Sequence, residues 1–131
     1  ELMAIEKVAQ SISTKQLKHI KKVLAEQREC SDQKDVMGFL HHDRIFHTLL
    51  SELTNNRRLV ANLETIRDLI QFMGAHALSA QGRLQEVIAE HEAVIQALSA
   101  HDSETARMNM AFHLEKSREK AEGILFPPAA E

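Results

Sequence analysis

Apolar residues recur at intervals of three and four along almost the whole of this chain, and no stretch alternates strictly between apolar and polar residues. Residues three and four apart share one face of a helix, whereas a half-buried strand requires a period of two. Glycine and proline number only 4 and 2, and aromatic residues make up 4% of the chain, unlike the composition of turn-rich sheet proteins. The sequence therefore predicts an all-α fold, and its 131 residues suit one domain with one core.

Capping residues divide this pattern into six predicted helices, or seven if the long central one is broken. A hydroxyl or carboxylate at an N-cap accepts a hydrogen bond from an otherwise unpaired amide of the first turn. The first helix is predicted to end at about Ile12, and a capping box at Ser13–Gln16 opens a second helix that runs to about Glu29. A polar break at Cys30–Gln33 follows, with Ser31 or Asp32 capping the third helix, and Asn55-Asn56 caps the fourth. A polar stretch at Ser79–Gly82 precedes the fifth helix, and Asp102-Ser103 caps the last, which ends at Leu125 before Pro127-Pro128.

The fourth helix is predicted to be central and buried, because it is apolar on nearly every side. Its apolar residues are Leu59, Val60, Leu63, Ile66, Leu69, Ile70, Phe72 and Met73.

Charge and cysteine content limit the possible functions. Lysine and arginine number 16 against 19 acidic residues, and the net charge of −3 argues against these residues gripping a phosphate backbone by themselves. The single cysteine, Cys30, excludes an internal disulfide, and no apolar run approaches the roughly 20 residues of a membrane span. We therefore expect a cytoplasmic protein without membrane association. Because the first helix begins without a cap, we also expect a domain cut from a longer chain.

Four polar residues interrupt the apolar stripes of three predicted helices. Asp43 and His47 lie one turn apart within the stripe of the third helix, and His91 and His113 occupy the middle of the stripes of the fifth and the last. A single buried histidine is more often a hydrogen-bonded core residue than a ligand. Burying three imidazoles and a carboxylate together is costly unless they are jointly satisfied, which a divalent cation achieves. Zinc is the first expectation, with nickel, manganese and iron(II) also suited to these ligands.

Two further residues are candidates for binding an effector at such a centre. Arg67 lies on the predicted buried helix, where its guanidinium requires a carboxylate, either from a bound acid or from a neighbouring glutamate. Asn109 lies one turn before His113 and can bond a ligand oxygen or an imidazole, although a simple amide at the edge of the core is as plausible from the sequence.

The other histidines carry weaker expectations. His76 is a reserve ligand near the end of the central helix, and the remaining four, His19, His41, His42 and His101, are predicted to be solvated.

Two alternative functions use the same residues differently. A metalloenzyme would use an open position on the ion to activate water, but the sequence offers no clearly placed general base and no paired Glu-x-x-His motifs of di-iron bundles. A phosphotransfer bundle requires an exposed histidine, whereas the candidates are predicted to face inward. Binding rather than catalysis is therefore the preferred interpretation, with a metalloenzyme acting on a small carboxylate as the alternative.

The order of these motifs resembles the FCD domain, the C-terminal effector-binding domain of FadR-subfamily GntR transcription regulators. The similar stretches are Asp43-Arg44-Ile45-Phe46-His47 with Leu50 and Asn55-Asn56 (D-x-x-F-H…N), Glu90-His91 through Ala97-Leu98 (E-H-x-x-I-x-x-A-L), and Asp102, Ala106, Met110, His113 and Leu114 (D-x-x-x-A…M-x-x-H-L), together with Ile5-Glu6 in the first helix. The resemblance covers essentially the whole chain, so residues 1–131 are interpreted as one FCD-like domain.

The resemblance implies an antiparallel bundle of six or seven helices around a central pocket that holds a metal ion and a ligand. In the metal-binding branch the ligands fall on Asp43, His47, His91 and His113. The implied effector is a small organic acid rather than an acyl-CoA, and Arg67 aligns loosely with the family's central-helix arginine. The implied full-length protein is a homodimer that binds DNA through an N-terminal winged helix-turn-helix domain, which this chain does not contain.

Overall fold

The computed structural model describes residues 2–62, 64–65, 67, 78 and 82–130, and within them the chain is helical with no strand. The helices are α1 (Leu2–Ser11), α2 (Thr14–Asp32), α3 (Val36–Glu52), α4 (Arg83–Ser99) and α5 (Ser103–Leu125). Residues 57–62, 64, 65 and 67, between α3 and α4, are also helical. The predicted all-α bundle is confirmed. Among the described residues, no helix is both long enough and apolar enough to cross a membrane.

The helices pack around one apolar core. Helix α4 packs along α5 and against α2, α2 packs against α3, and α1 packs mainly against α5. The three-residue connections between α2 and α3 and between α4 and α5 make the helices of each pair antiparallel neighbours. Core side chains that are almost inaccessible to solvent include Ile5, Val8, Ile20, Phe39, Phe46, Val94, Leu98 and Met110. Three inward stripes of α3, α4 and α5 therefore converge in the same interior.

Three predicted helix starts are confirmed in their hydrogen bonds. The Ser13 side chain accepts from the backbone N–H of Gln16, while the Gln16 side chain accepts from the N–H of Ser13, completing the capping box of α2. At α5, the Asp102 carboxylate accepts from the N–H of Thr105. Asn56 likewise accepts from the N–H of Leu59, as predicted for the segment that follows α3.

The predicted break at Cys30–Gln33 was wrong, because α2 continues to Asp32 and Cys30, Ser31 and Asp32 are all helical. The chain leaves the helix after Asp32 through a turn at Lys34, which has a φ of 56° in the left-handed region. The N–H of Asp35 donates to the Cys30 carbonyl at 2.9 Å and the N–H of Lys34 donates to the Ser31 carbonyl at 3.1 Å, a Schellman ending. Neither Ser31 nor Asp32 caps α3, since both lie within α2.

The cap of α3 is Asp35, whose carboxylate accepts from the N–H of Gly38 at 3.0 Å. The turn before α5 repeats this design. His101 has a φ of 53°, its N–H donates to Leu98, and Asp102, the next residue, is the cap.

The predicted central helix falls largely outside the described residues. Leu59 and Val60 are described and partly buried. Six of its predicted apolar residues (Leu63, Ile66, Leu69, Ile70, Phe72, Met73), together with His76 and the stretch from Ser79 to Gln81, lie outside that part of the chain. Gly82 immediately precedes α4 with a φ of 80°, a backbone conformation that glycine adopts without steric cost.

Candidate metal centre

Three helices bring the four predicted ligands together. Helix α3 supplies Asp43 and His47, α4 supplies His91, and α5 supplies His113. One ligand atom from each residue can be chosen so that all four atoms lie within 4.8 Å of one another. The three histidines are at most 3% exposed, and Asp43 is partly buried. These four residues therefore face the interior of the bundle, as the sequence predicts.

The spacing of the inner atoms suits one cation. The Nε2 atom of His113 lies 3.2 Å from the Nε2 atoms of both His91 and His47. The Oδ1 atom of Asp43 lies 3.5 Å from Nε2 of His91 and 3.7 Å from Nε2 of His47. Two ligands about 2.1 Å from a common ion lie about 3.0 Å apart at a right angle and about 3.4 Å apart at the tetrahedral angle.

In His91 and His113, the hydrogen-bond partner of the nitrogen that points away from the cluster determines which ring nitrogen faces inward. Nδ1 of His91 lies 2.9 Å from Oε1 of Gln27, and Nδ1 of His113 lies 2.6 Å from Oε2 of Glu90. An amide oxygen and a carboxylate oxygen only accept, so each Nδ1 carries a proton, and in the neutral form of each ring Nε2 presents a lone pair. Lone pairs 3.2 Å apart repel unless a proton or a cation lies between them. The donor set therefore fits a metal ion.

Glu90 is a buried carboxylate held from two sides. Arg83, itself 2% exposed, donates to its two oxygens at 2.7 and 3.2 Å and also donates to the Ser117 hydroxyl at 3.2 Å. Burial alone would raise the pKa of Glu90, but the hydrogen bonds from His113 and Arg83 outweigh it and lower that pKa. Glu90 is therefore ionised at neutral pH.

Gln27, which lies on α2, contacts two of the four predicted ligands, His91 and Asp43. In addition to accepting from His91, it donates from Nε2 to Oδ1 of Asp43 at 3.4 Å, and it is fully buried.

Burial of His91, reinforced by the neighbouring His113 and His47, holds the pKa of His91 well below its usual range. His91 is therefore neutral at pH 7, which is the form that coordinates a metal. The Phe46 ring stacks on the His91 ring with centroids 4.0 Å apart.

Sequence reasoning missed both Gln27 and Glu90 as parts of this centre. Gln27 carried a usable signal, because it interrupts the buried stripe of α2 formed by Ile20, Val23 and Leu24 in the same way that His91 interrupts α4. Glu90 carried only its place beside His91 in the E-H motif. Its burial depends on Arg83, seven residues earlier on the same helix, and on His113 from α5.

Arg67 and Asn109 occupy different positions relative to the centre. Arg67 is buried, and its Nη1 lies 3.8 Å from Oδ2 of Asp43, so the carboxylate beside it belongs to a predicted metal ligand. Asn109 donates from Nδ2 to the Ala93 carbonyl at 3.1 Å and so connects α5 to α4. This is the simpler of the two roles considered for Asn109, and its contact with an effector stays a prediction.

The remaining described histidines lie outside the cluster. His19 and His41 are exposed, and Nδ1 of His42 lies 3.4 Å from a carboxylate oxygen of Glu26. His101 is largely exposed, although its Nδ1 lies 2.9 Å from the carbonyl of Ala9 at the end of α1.

Comparison with known proteins gives two findings. The family model of the FCD domain matches residues 1–116. A curated relative from Bacillus subtilis (strain 168), described as the uncharacterized HTH-type transcriptional regulator YdhC, is 23% identical over 126 residues. The aligned region covers 95% of this chain but only 56% of the relative, so the chain spans little more than half of that protein's length.

Proposed function

Since this chain belongs to the FCD-domain family, we propose that it senses a small organic acid through a divalent metal ion held by Asp43, His47, His91 and His113. The observation that carries this proposal is the convergence of four ligand atoms, from three helices, within 4.8 Å. Three imidazole nitrogens and one carboxylate oxygen form a donor set that suits zinc first, and nickel, manganese or iron(II) as well. When bound, the ion supplies a Lewis acid to which a carboxylate of the effector can attach.

The residues around the four ligands favour an acidic effector. Arg67 is buried within 4 Å of Asp43 and places a positive charge beside the centre. A guanidinium binds a carboxylate with two parallel hydrogen bonds, which gives both affinity and orientation. We assign Arg67 to the effector's acid group and Asn109 to a polar group at the α4–α5 edge.

Binding is favoured over catalysis by the position of the nearby carboxylate. Glu90 contacts the outer Nδ1 atom of His113, on the opposite side of the ring from the inner Nε2 atoms. A general base for a metal-activated water would need to reach the inner side. A phosphotransfer role would require an accessible ring, whereas His47, His91 and His113 are buried.

The full-length protein is proposed to be a cytoplasmic, homodimeric transcription regulator. The relative's name describes an HTH-type regulator, and its length leaves room for a further domain beside the part matched here. In the proposed mechanism a winged helix-turn-helix domain precedes residues 1–131. The effector stabilises one arrangement of the helices and thereby changes the spacing of the paired DNA-binding domains.

A thermal-unfolding experiment tests the sensing role. The chain is loaded with Zn²⁺ and its Tm is measured with lactate, gluconate and succinate, and again after the metal has been stripped. The proposal predicts that at least one acid raises the Tm of the loaded protein only, and that Arg67→Met removes the increase. Equal shifts with and without metal, or no shift with any acid, would refute it. An active acid that leaves the operator affinity of the full-length protein unchanged would refute the regulatory step.

A further inference from the structure

A buried ion pair lies directly behind one of the proposed metal ligands. Arg83 and Glu90 are 2% and 9% exposed, joined by hydrogen bonds of 2.7 and 3.2 Å. Oε2 of Glu90, which accepts the longer of these two bonds, also accepts from Nδ1 of His113 at 2.6 Å. The proposed function assigns roles to the four ligands, to Arg67 and to Asn109, but leaves this pair without a role.

Stability alone is a poor reason to bury these two charges. Moving an ion pair out of water costs several kcal/mol per ion, and well-packed apolar residues of similar volume are often equally stable in its place. What apolar residues cannot supply is a negatively charged acceptor for the His113 N–H. A hydrogen bond from an imidazole to a carboxylate fixes the ring's orientation and tautomer and increases the basicity of the opposite nitrogen.

We propose that Glu90, held in place by Arg83, is a positioning residue of the metal centre that turns Nε2 of His113 inward and strengthens it as a ligand. This inference rests on the proposed metal function. Ser117, which accepts from the same Nη2 of Arg83 that donates to Glu90, lies one turn beyond His113 on α5. Arg83, the first residue of α4, is therefore hydrogen-bonded to the helix that carries His113.

The two outer contacts predict a difference between the histidines. His91 donates to the neutral amide oxygen of Gln27, whereas His113 donates to a charged carboxylate. Charge-assisted hydrogen bonds are roughly twice as strong as neutral ones. Of these two imidazoles, His113 is thus the one whose strength as a ligand depends more on its outer partner.

A paired substitution separates positioning from folding. Glu90→Gln alone removes the charge and leaves the buried Arg83 guanidinium with only the exposed carboxylate of Glu86, at 3.1 Å, as an ionic partner. It is therefore compared with the double variant Arg83→Met/Glu90→Gln, in which neither charge of the buried pair remains. Zn²⁺ affinity is measured by competition with a chromophoric chelator, and metal-free folding is measured by urea unfolding. The control is Glu6→Gln/Arg107→Met, the same exchange at an exposed pair joining α1 to α5 at 3.1 Å.

The double variant is expected to keep a urea midpoint close to that of the wild type while its Zn²⁺ affinity falls about 10- to 100-fold. The control is expected to keep both. Wild-type affinity in the double variant overturns this inference and leaves the metal site standing. Absence of Zn²⁺ binding by the wild type overturns the inference and the proposed function together.

A measurement on the unaltered protein does not depend on how the variants fold. In the Zn²⁺-loaded chain labelled with ¹⁵N-histidine, ring spectra are expected to place the proton of His113 on Nδ1 and the metal on Nε2. Coordination through Nδ1, or a proton on Nε2, overturns the positioning role of Glu90.

Discussion

Replacing Gln27 with leucine tests whether α2 organises the proposed metal centre. The side chain is fully buried and makes two contacts, to Nδ1 of His91 at 2.9 Å and to Oδ1 of Asp43 at 3.4 Å. Leucine has a similar volume but neither accepts nor donates, so the His91 N–H loses its acceptor in a site without water access. An unsatisfied buried donor costs about 1–3 kcal/mol, which is the expected loss in the free energy of unfolding of the metal-free protein.

The same substitution is expected to weaken metal binding. Without Gln27, the proton of His91 is free to move to Nε2, where it must be displaced before that nitrogen can coordinate. Loss of such an outer hydrogen bond lowers metal affinity about 10- to 100-fold, equivalent to about 1.4–2.7 kcal/mol. Urea unfolding of the metal-free chain and chelator competition for Zn²⁺ measure the two effects separately. Gln96→Leu, at an exposed position of α4, is the matched control and should change neither. Wild-type stability and affinity in Gln27→Leu would refute the reasoning.

Three further predictions concern the core, a helix cap and pH. Phe39→Ala, at a fully buried position of α3, should lower the free energy of unfolding by about 3–5 kcal/mol in urea, and a loss below about 1 kcal/mol would contradict the packing described. Asp35→Ala should cost about 1 kcal/mol because it removes the cap of α3, whereas Asp32→Ala should change little; the reverse order would restore Asp32 as the cap. The metal-free protein should lose stability as the pH falls below about 6.5, because the folded-state pKa of His91 is depressed and the unfolded chain therefore binds the additional proton in that range. The expected slope from this group is at most about 1.4 kcal/mol per pH unit, and a urea midpoint that does not change between pH 7.5 and 5.5 would contradict it.

The helices and the four converging residues could be predicted because their signals are local. A stripe of period 3.6 interrupted by a histidine places that ring in the interior whatever the neighbouring helices are, and this held for His47, His91 and His113. The capping box at Ser13 and the cap at Asp102 likewise depend on residues within one turn.

The end of α2 and the role of Glu90 could not be predicted from a local sequence pattern. The end of α2 was wrongly placed because Ser31 and Asp32 are good caps in sequence, whereas the turn is made by Lys34, a residue without a strong preference for the left-handed conformation. Glu90 appeared to be an ordinary helical glutamate. Its role depends on contacts with Arg83, at the start of α4, and with His113, on α5, which the local sequence does not show.

The central claim is that one divalent ion joins α3, α4 and α5. Equilibrium dialysis of the metal-stripped chain against Zn²⁺, followed by elemental analysis, tests it most directly. The account predicts about one tightly held ion per chain for the wild type and for His101→Ala, and almost none for His91→Ala. Equal metal content in His91→Ala and wild type would contradict it.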